Sequence, residues 1–135
     1  MYLLDTNICI YTINKKPIEV LNKLKRKSSK DIFISAITVA ELEHGVEKSN
    51  FPERNKVALV ESLSLFQILY YTDNDALFYG RIRENLEKCG QVIGTMDMLI
   101  ASQALSHDLI IVTNNEKEFE RIDKIKIENW TKGNA

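Results

Sequence analysis

The chain has 135 residues, of which 44% are hydrophobic, and its 18 lysine and arginine residues nearly balance its 19 aspartate and glutamate residues. This length and balance predict one globular domain, residues 1–135, and exclude fibrous and intrinsically disordered proteins. No apolar run approaches the roughly 20 residues of a membrane span, and the first residues lack the features of a secretory signal. We therefore expect a cytoplasmic protein without a membrane partner.

Short apolar runs alternate with helical patterns along the chain. The predicted strands are 2–4, 32–34, 67–71 and 109–112, with a weaker one around Ile125 and Ile127. The predicted helices are 7–14, a segment that begins near Pro17, and segments centred on 37–46, 57–65, 73–89 and 98–105. Buried strands of this kind, alternating with helices, are typical of a parallel sheet covered on both faces. The fold class is predicted to be α/β.

The cysteines and histidines form no metal-binding motif. Cys9 and Cys89 are far apart and belong to no CxxC pattern, so we expect two buried free thiols. His44 and His107 are expected at the surface or at helix ends.

One aspartate follows a predicted strand, and another stands at the start of a predicted helix. Asp5 stands at the carboxyl end of the first strand, where parallel sheets bind ligands, although it could instead cap the helix that follows. Asp97 occupies a similar helix start after Gly94 and, taken alone, could be another cap. Each aspartate therefore has a functional and a structural interpretation.

Further acids lie on a helix and beyond the clearest strand. Glu41 precedes Gly45 by one helical turn, and a small residue there would let another segment approach. Glu41 could also be an ordinary exposed helical residue. Glu116, Glu118 and Glu120 come after the strand that ends at Val112, and at most one or two of them can face one crevice.

If these carboxylates converge, several negative charges share one concave place. A hard divalent ion, Mg²⁺ or Mn²⁺, is then expected to neutralise them. Such an ion suits phosphodiester hydrolysis, because it lowers the pKa of a bound water and stabilises charge on phosphorus, so that no covalent nucleophile is required.

Four segments, in this order, resemble the signatures of PIN-domain ribonucleases and, more narrowly, of VapC toxins from bacterial VapBC toxin–antitoxin modules. They are Leu3-Leu4-Asp5-Thr6-Asn7, Ser35 to Leu42 with Gly45, Ile93 to Ala101, and Val112 to Asn115 with Glu118-Phe119. The similarity extends from residue 1 to about residue 130. It implies a PIN fold with a central parallel sheet of about five strands and helices on both faces.

The resemblance also assigns expected roles. Asp5, Glu41 and Asp97 match the core acids of the family, and Asp5 and Asp97 match its principal Mg²⁺ ligands, with Mn²⁺ as a substitute. Glu118 is our choice for a fourth acid, and Asn114 and Glu116 are the alternatives.

Polar residues beside these acids are expected to contact substrate. Thr6 and Thr113 match residues that flank the site, and Asn114 is a further candidate; Asn7 matches the motif without a distinct role. Many relatives have a basic residue and proline before the Ile-Gly pair, where this chain has Gln91-Val92. One RNA-facing cation is thus missing, which leaves the metal site unaffected.

The implied activity is sequence-selective endoribonuclease action on structured RNA. A tRNA is expected as substrate, with the anticodon stem-loop of initiator tRNA favoured. The implied partners are a VapB antitoxin, which lies in a groove of the toxin, a second copy of the chain in a homodimer, and operator DNA through the antitoxin. The apolar stretch 37–66 could supply part of the groove or dimer surface, or belong to the core.

Basic residues are concentrated in one stretch. Residues 15–30 contain seven lysine and arginine residues and a single acid, Glu19. A nuclease with an acidic site needs positive charge nearby to attract RNA, so Lys25, Arg26 and Lys27 are predicted to contact phosphates. A solvated helix face is the alternative.

Two other functions remain open from the sequence. Asp5-Thr6-Asn7 resembles the DxD motif of haloacid-dehalogenase-like phosphotransferases, but Asn7 replaces the second, proton-donating aspartate. A non-catalytic PIN-like RNA-binding or scaffold domain would use the same acids as helix caps.

Overall fold

Five short strands form the centre of the computed structural model, which describes residues 1–132. The strands are β1 (Tyr2–Leu4), β2 (Ile32–Ser35), β3 (Gln67–Leu69), β4 (Ile110–Val112) and β5 (Lys126–Glu128). They make one sheet in the order β3-β2-β1-β4-β5, and every neighbouring pair is parallel. The predicted α/β class and five-stranded parallel sheet are confirmed.

Helices connect successive strands. They are α1 (Thr6–Asn14), α2 (Ile18–Lys25), α3 (Ala36–Glu47), α4 (Pro52–Leu63), α5 (Asp73–Lys88), α6 (Thr95–Ser106) and α7 (Glu116–Phe119). Side chains that accept backbone N–H groups define the starts of three of them, with Asp5 before α1, Ser35 before α3 and Thr72 before α5. The short helix α7 was not predicted, because four residues are too few to show a helical period.

Each face of the sheet has its own hydrophobic core. Successive side chains of a strand point to opposite faces, so Leu3 packs with α5 and α6 while Leu4 packs with α1 to α4. The two cores explain why the strands are apolar without alternation. Burying one such leucine contributes roughly 2 kcal/mol to the free energy of unfolding.

The cysteines differ in their surroundings. Cys9 is buried in α1, whereas Cys89 is exposed because it caps the carboxyl end of α5, so the expectation of a buried thiol is wrong for Cys89. His44 lies on the last turn of α3 and His107 directly follows α6, both exposed, as predicted. None of the helices described has the length and apolar content to cross a membrane.

The parallel arrangement places the ends of the strands at one edge of the sheet. Asp5 follows β1, α3 starts directly after β2, and Thr113 follows β4. These three strands are neighbours in the sheet, so residues far apart in sequence meet there.

Candidate active site

Asp5 is both a helix cap and part of the sheet edge. Its Oδ1 accepts the backbone N–H of Ile8 at 2.9 Å, and its Oδ2 accepts the hydroxyl of Thr113. The side chain is almost fully buried, and this burial raises the pKa of Asp5; its hydrogen bonds oppose the shift, and the negative charge of Glu41 adds to it. Asp5 therefore caps α1 and also lies at the sheet edge where the functional interpretation expects a ligand.

Glu41 reaches the same edge from α3. Its Oε1 accepts the hydroxyl of Thr6 at 2.7 Å, and the same hydroxyl lies 3.4 Å from Oγ1 of the buried Thr38. Thr6 therefore ties the start of α1 to α3 and orients the Glu41 carboxylate.

Asp97 and Glu118 complete a group of four acids. Burial raises the pKa of Asp97 to about 6, with further contributions from the charges of Glu118, Asp5 and Glu41 and from a hydrogen bond to Glu118. Glu118 is held from the other side by the amide of Asn115, whose Nδ2 donates to it at 2.9 Å. The structure thus brings together the four acids singled out by the sequence.

The two alternatives for the fourth acid point elsewhere. Nδ2 of Asn114 donates to the hydroxyl of Tyr11 at 2.8 Å. Glu116 pairs with Nζ of Lys132 at 2.8 Å and accepts a hydrogen bond from Asn129. Glu118 is therefore the residue of α7 that faces the other acids.

The four acids lack a protein counter-charge. None of them takes part in any ion pair found between residues 1 and 132. No group of three or more His, Cys, Asp or Glu side chains in that range is arranged to hold a metal ion. Mg²⁺ usually binds one or two carboxylates and keeps several waters, so the chemistry of two neighbouring carboxylates, Asp5 and Asp97, is compatible with a hydrated divalent ion.

The predicted polar contacts differ in accessibility. Thr113 is fully buried; besides donating to Asp5, its hydroxyl accepts the N–H of Asn115. This hydroxyl is therefore placed to orient the Asp5 carboxylate, and the burial of Thr113 in this structure leaves it without an exposed surface for substrate. Thr6 is half-buried and Asn114 is exposed at the rim, so both can meet a ligand.

A buried amide connects the helices that carry the acids, and sequence analysis missed it. The hydroxyl of Ser35, at the start of α3, donates to Oε1 of Gln103 on α6, and Nε2 of Gln103 donates to the carbonyl of Leu69 at 3.2 Å. Both side chains are fully buried. The available signal was a polar residue within the apolar pattern of α6. Gln103 helps to fix Asp97 relative to Glu41.

The three predicted basic contacts face different parts of the surface. The Nζ of Lys27 lies 4.8 Å from the centre of the Tyr2 ring, and Tyr2 begins β1 whereas Asp5 follows its end. Lys25 lies near Thr12 and Glu61, between α2, α1 and α4. Arg26 faces a different depression, which contains Lys23 and Lys132.

A groove begins at Thr6 and Glu41 and runs between α1, α3 and α4. Its walls are mainly apolar and comprise Ile10, Ile13, Leu42, Val46, Ala58 and Leu59. Gly45 also lines it, and a methyl group added there would meet no other atom within 4 Å. The stretch 37–66 therefore supplies both core residues and a groove wall. The space beside Gly45 is open and belongs to the groove.

Comparisons with known proteins agree with this geometry. The PIN domain family profile matches residues 2–125. The chain is 45% identical over 129 residues to Ribonuclease VapC2 of Haemophilus influenzae, which covers 96% of this chain and 97% of the relative. It is 42% identical over 130 residues to the tRNA(fMet)-specific endonuclease VapC of Shigella flexneri, covering 96% and 98%. The crystal structure of VapBC2 from Rickettsia felis, bound to a DNA fragment from its promoter, is similar with a TM-score of 0.91 and 43% identity, covering 96% of this chain and 98% of that one.

Proposed function

The chain belongs to the PIN domain family, among its VapC ribonucleases, and from this premise we propose that it is a toxin endoribonuclease that cleaves initiator tRNA in the anticodon stem-loop. The observation that carries the proposal is the convergence of Asp5, Glu41, Asp97 and Glu118 without an ion-pair partner among residues 1–132. Membership in this family overturns the haloacid-dehalogenase alternative.

The activity depends on a divalent metal, and we propose Mg²⁺, with Mn²⁺ as a substitute. When bound, the ion supplies an activated water and neutralises charge that develops on the phosphate. Asp5 and Asp97 are the proposed ligands. Thr113 fixes the Asp5 carboxylate by its hydrogen bond, which reduces the rearrangement needed for binding.

The other two acids are proposed to handle water and protons. Glu41 is oriented by the Thr6 hydroxyl, which leaves its second oxygen available to accept a proton from the attacking water. Glu118 is held by Asn115 and hydrogen-bonds to Asp97. We propose that the carboxylate of Glu118 holds a water beside the ligands.

Substrate contacts are proposed at the rim of the acidic cluster. Thr6 and Asn114 are accessible there, and Asn114 stands beside the Tyr11 hydroxyl. An amide with a nearby aromatic ring suits unpaired bases of an RNA loop, which proteins read by hydrogen bonding and stacking. The name of the Shigella flexneri relative supports tRNA(fMet) as the substrate.

The partner is a VapB-type antitoxin. We propose that an antitoxin segment occupies the groove between α1, α3 and α4, because its apolar walls lead directly to Glu41, where a basic antitoxin side chain would pair with the acids.

A homodimer is also proposed, supported by the exposed side chains of Phe51, Val57 and Val60. Operator DNA is proposed to bind only through the antitoxin, within the bacterial cytoplasm; the promoter-bound Rickettsia felis complex supports this.

The test is incubation of the purified chain with total tRNA and Mg²⁺ or Mn²⁺, followed by gel analysis and end sequencing of the fragments. Controls are EDTA and the Asp5→Ala variant. We expect discrete cuts in initiator tRNA that disappear in both controls.

Other outcomes separate the alternatives. Cuts in another RNA, lost in both controls, would overturn the tRNA assignment alone. Intact RNA under all conditions, with no stabilisation of the chain by Mn²⁺, would favour a non-catalytic RNA-binding domain.

A further inference from the structure

A second group of charges lies on α2 and near the carboxyl end of the described chain. Lys23, Arg26 and Lys132 line one small depression together with Asn22 and Glu19. Residues 19, 22, 23 and 26 are spaced by three or four positions, so they share one face of the helical segment. Three cations thus surround a single acid.

Lys132 connects this depression to α7. Nζ of Lys132 lies 2.8 Å from Oε2 of Glu116, which begins α7 two residues before Glu118. Two residues of a helix span only about 3 Å along its axis. The depression is therefore joined, through Lys132, to the helix that carries one of the four acids.

The remaining cations of the basic stretch lie elsewhere. Lys25 faces α1 and α4, and Lys27 covers the Tyr2 ring. The charge concentration seen in the sequence therefore divides between different surfaces, of which the one formed with Lys132 adjoins α7.

We propose that Lys23, Arg26 and Lys132 form a subsite for a backbone phosphate of the RNA, outside the acidic cluster. The inference rests on the proposed function and specifies how the substrate is held. Arg26 offers a planar pair of donors that matches phosphate oxygens, and the lysines add charge. The Lys132 side chain is 67% exposed and that of Glu116 is 30% exposed, and ion pairs that water can reach are weak, so Lys132 can exchange Glu116 for a phosphate. Glu19 is the one acid in the depression and opposes phosphate binding.

The test compares two double variants with equal loss of charge. Lys23→Gln with Lys132→Gln removes two cations of the subsite, and Lys30→Gln with Lys48→Gln removes two exposed lysines elsewhere. For tRNA cleavage in Mg²⁺, the first variant should have a KM about tenfold above that of the unaltered chain and a kcat within about twofold of it. The slope of the logarithm of affinity against the logarithm of salt concentration should be smaller in magnitude by about one to two. The second variant should retain the KM of the unaltered chain.

A binding experiment separates this subsite from the nuclease activity. Asp97→Asn protein in EDTA is titrated with a short fluorescent oligouridylate, with and without the Lys23→Gln and Lys132→Gln changes. Affinity should fall about tenfold, and Glu19→Gln should raise it severalfold.

The comparison also tests Lys25 and Lys27. Their double glutamine variant should weaken oligouridylate binding by less than the variant of Lys23 and Lys132. Equal losses in all three double variants would overturn the subsite, because they would show a general effect of net charge. Absence of RNA cleavage by the unaltered chain, with the difference between variants retained in binding, would instead overturn the proposed nuclease and leave a phosphate site.

Discussion

Two aspartates are buried at the starts of helices, and their surroundings are opposite. Asp5 before α1 is 4% exposed, and Asp75 in the first turn of α5 is fully buried. Oδ2 of Asp75 accepts the backbone N–H of Thr72 at 2.8 Å, and Oδ1 lies 3.1 Å from Nε2 of His107. Asp5 has a neutral hydroxyl and a backbone N–H as partners, and its charged neighbours are other acids.

The difference shows how burial of the same residue type leads to structure or to chemistry. A buried carboxylate is costly unless an opposite charge accompanies it. For Asp75 the imidazole of His107, which carries a positive charge only when protonated, lies at ion-pair distance within the chain and connects α5 to the end of α6. Asp5 and its neighbours receive no such charge from the described residues, so a divalent ion can supply it.

Helix α6 joins the two regions. Asp97 lies in its first turn, and His107 directly follows its last residue. Gln103 lies between them and holds the helix to Leu69 and Ser35. Substitution of Asp97 at one end of this helix, and of Asp75 beside His107 at the other, therefore tests whether the acidic edge determines activity and the opposite end determines stability.

The largest expected effect is that of Asp97→Asn on cleavage. Loss of one of the two proposed metal ligands should lower kcat for tRNA cleavage at least about a hundredfold. Thermal unfolding of the variant should still be cooperative, but stabilisation by Mn²⁺ should be lost. In the unaltered chain, Mn²⁺ at a concentration of 100 times its Kd would raise the free energy of unfolding by about 2.7 kcal/mol. Retained cleavage together with retained Mn²⁺ stabilisation would contradict the assignment of Asp97.

The second largest effect is that of Asp75→Ala on the free energy of unfolding. Asp75→Ala removes a helix cap and the partner of His107, and should lower the free energy of unfolding by about 2–4 kcal/mol. Denaturant unfolding measures the loss, and tRNA cleavage at a temperature where the variant is folded should retain its Mg²⁺ dependence. The contrast between Asp75 and Asp5 would be contradicted if Asp75→Ala had the unfolding free energy of the unaltered chain but lost tRNA cleavage as Asp97→Asn does.

The sequence was sufficient for the features that depend on local pattern and strand order. Apolar runs located the strands, and the rule that parallel sheets bind ligands at the carboxyl ends of their strands placed Asp5 at that edge of the sheet. The fourth acid was harder, because Glu116 and Glu118 lie two residues apart and α7 alone determines which of them turns toward Asp97.

Other features depend on contacts that no local pattern contains. Asp75 and His107 are 32 residues apart, and neither residue forms a motif with the other. The basic subsite similarly needs Lys132 to meet α2, so the sequence grouped Arg26 with its neighbours Lys25 and Lys27, which face other surfaces. Pairings of this kind arise only when the whole sheet has formed.

The smallest expected effect is a pH dependence of stability that belongs to the acidic edge. Burial and neighbouring acids raise the pKa of Asp97 from 3.8 to about 6 in the folded chain. The folded state then binds this proton more tightly than the unfolded state, so the contribution of Asp97 to the stability of the metal-free protein should be fully present below about pH 4 and be lost as pH rises through about 6. Partial exposure limits this contribution to roughly 1–2 kcal/mol. Denaturant unfolding in EDTA between pH 4 and 7 should show this loss in the unaltered chain and a flatter profile in Asp97→Asn. An identical slope in both proteins would place the titration elsewhere and remove the electrostatic distinction between the two buried aspartates.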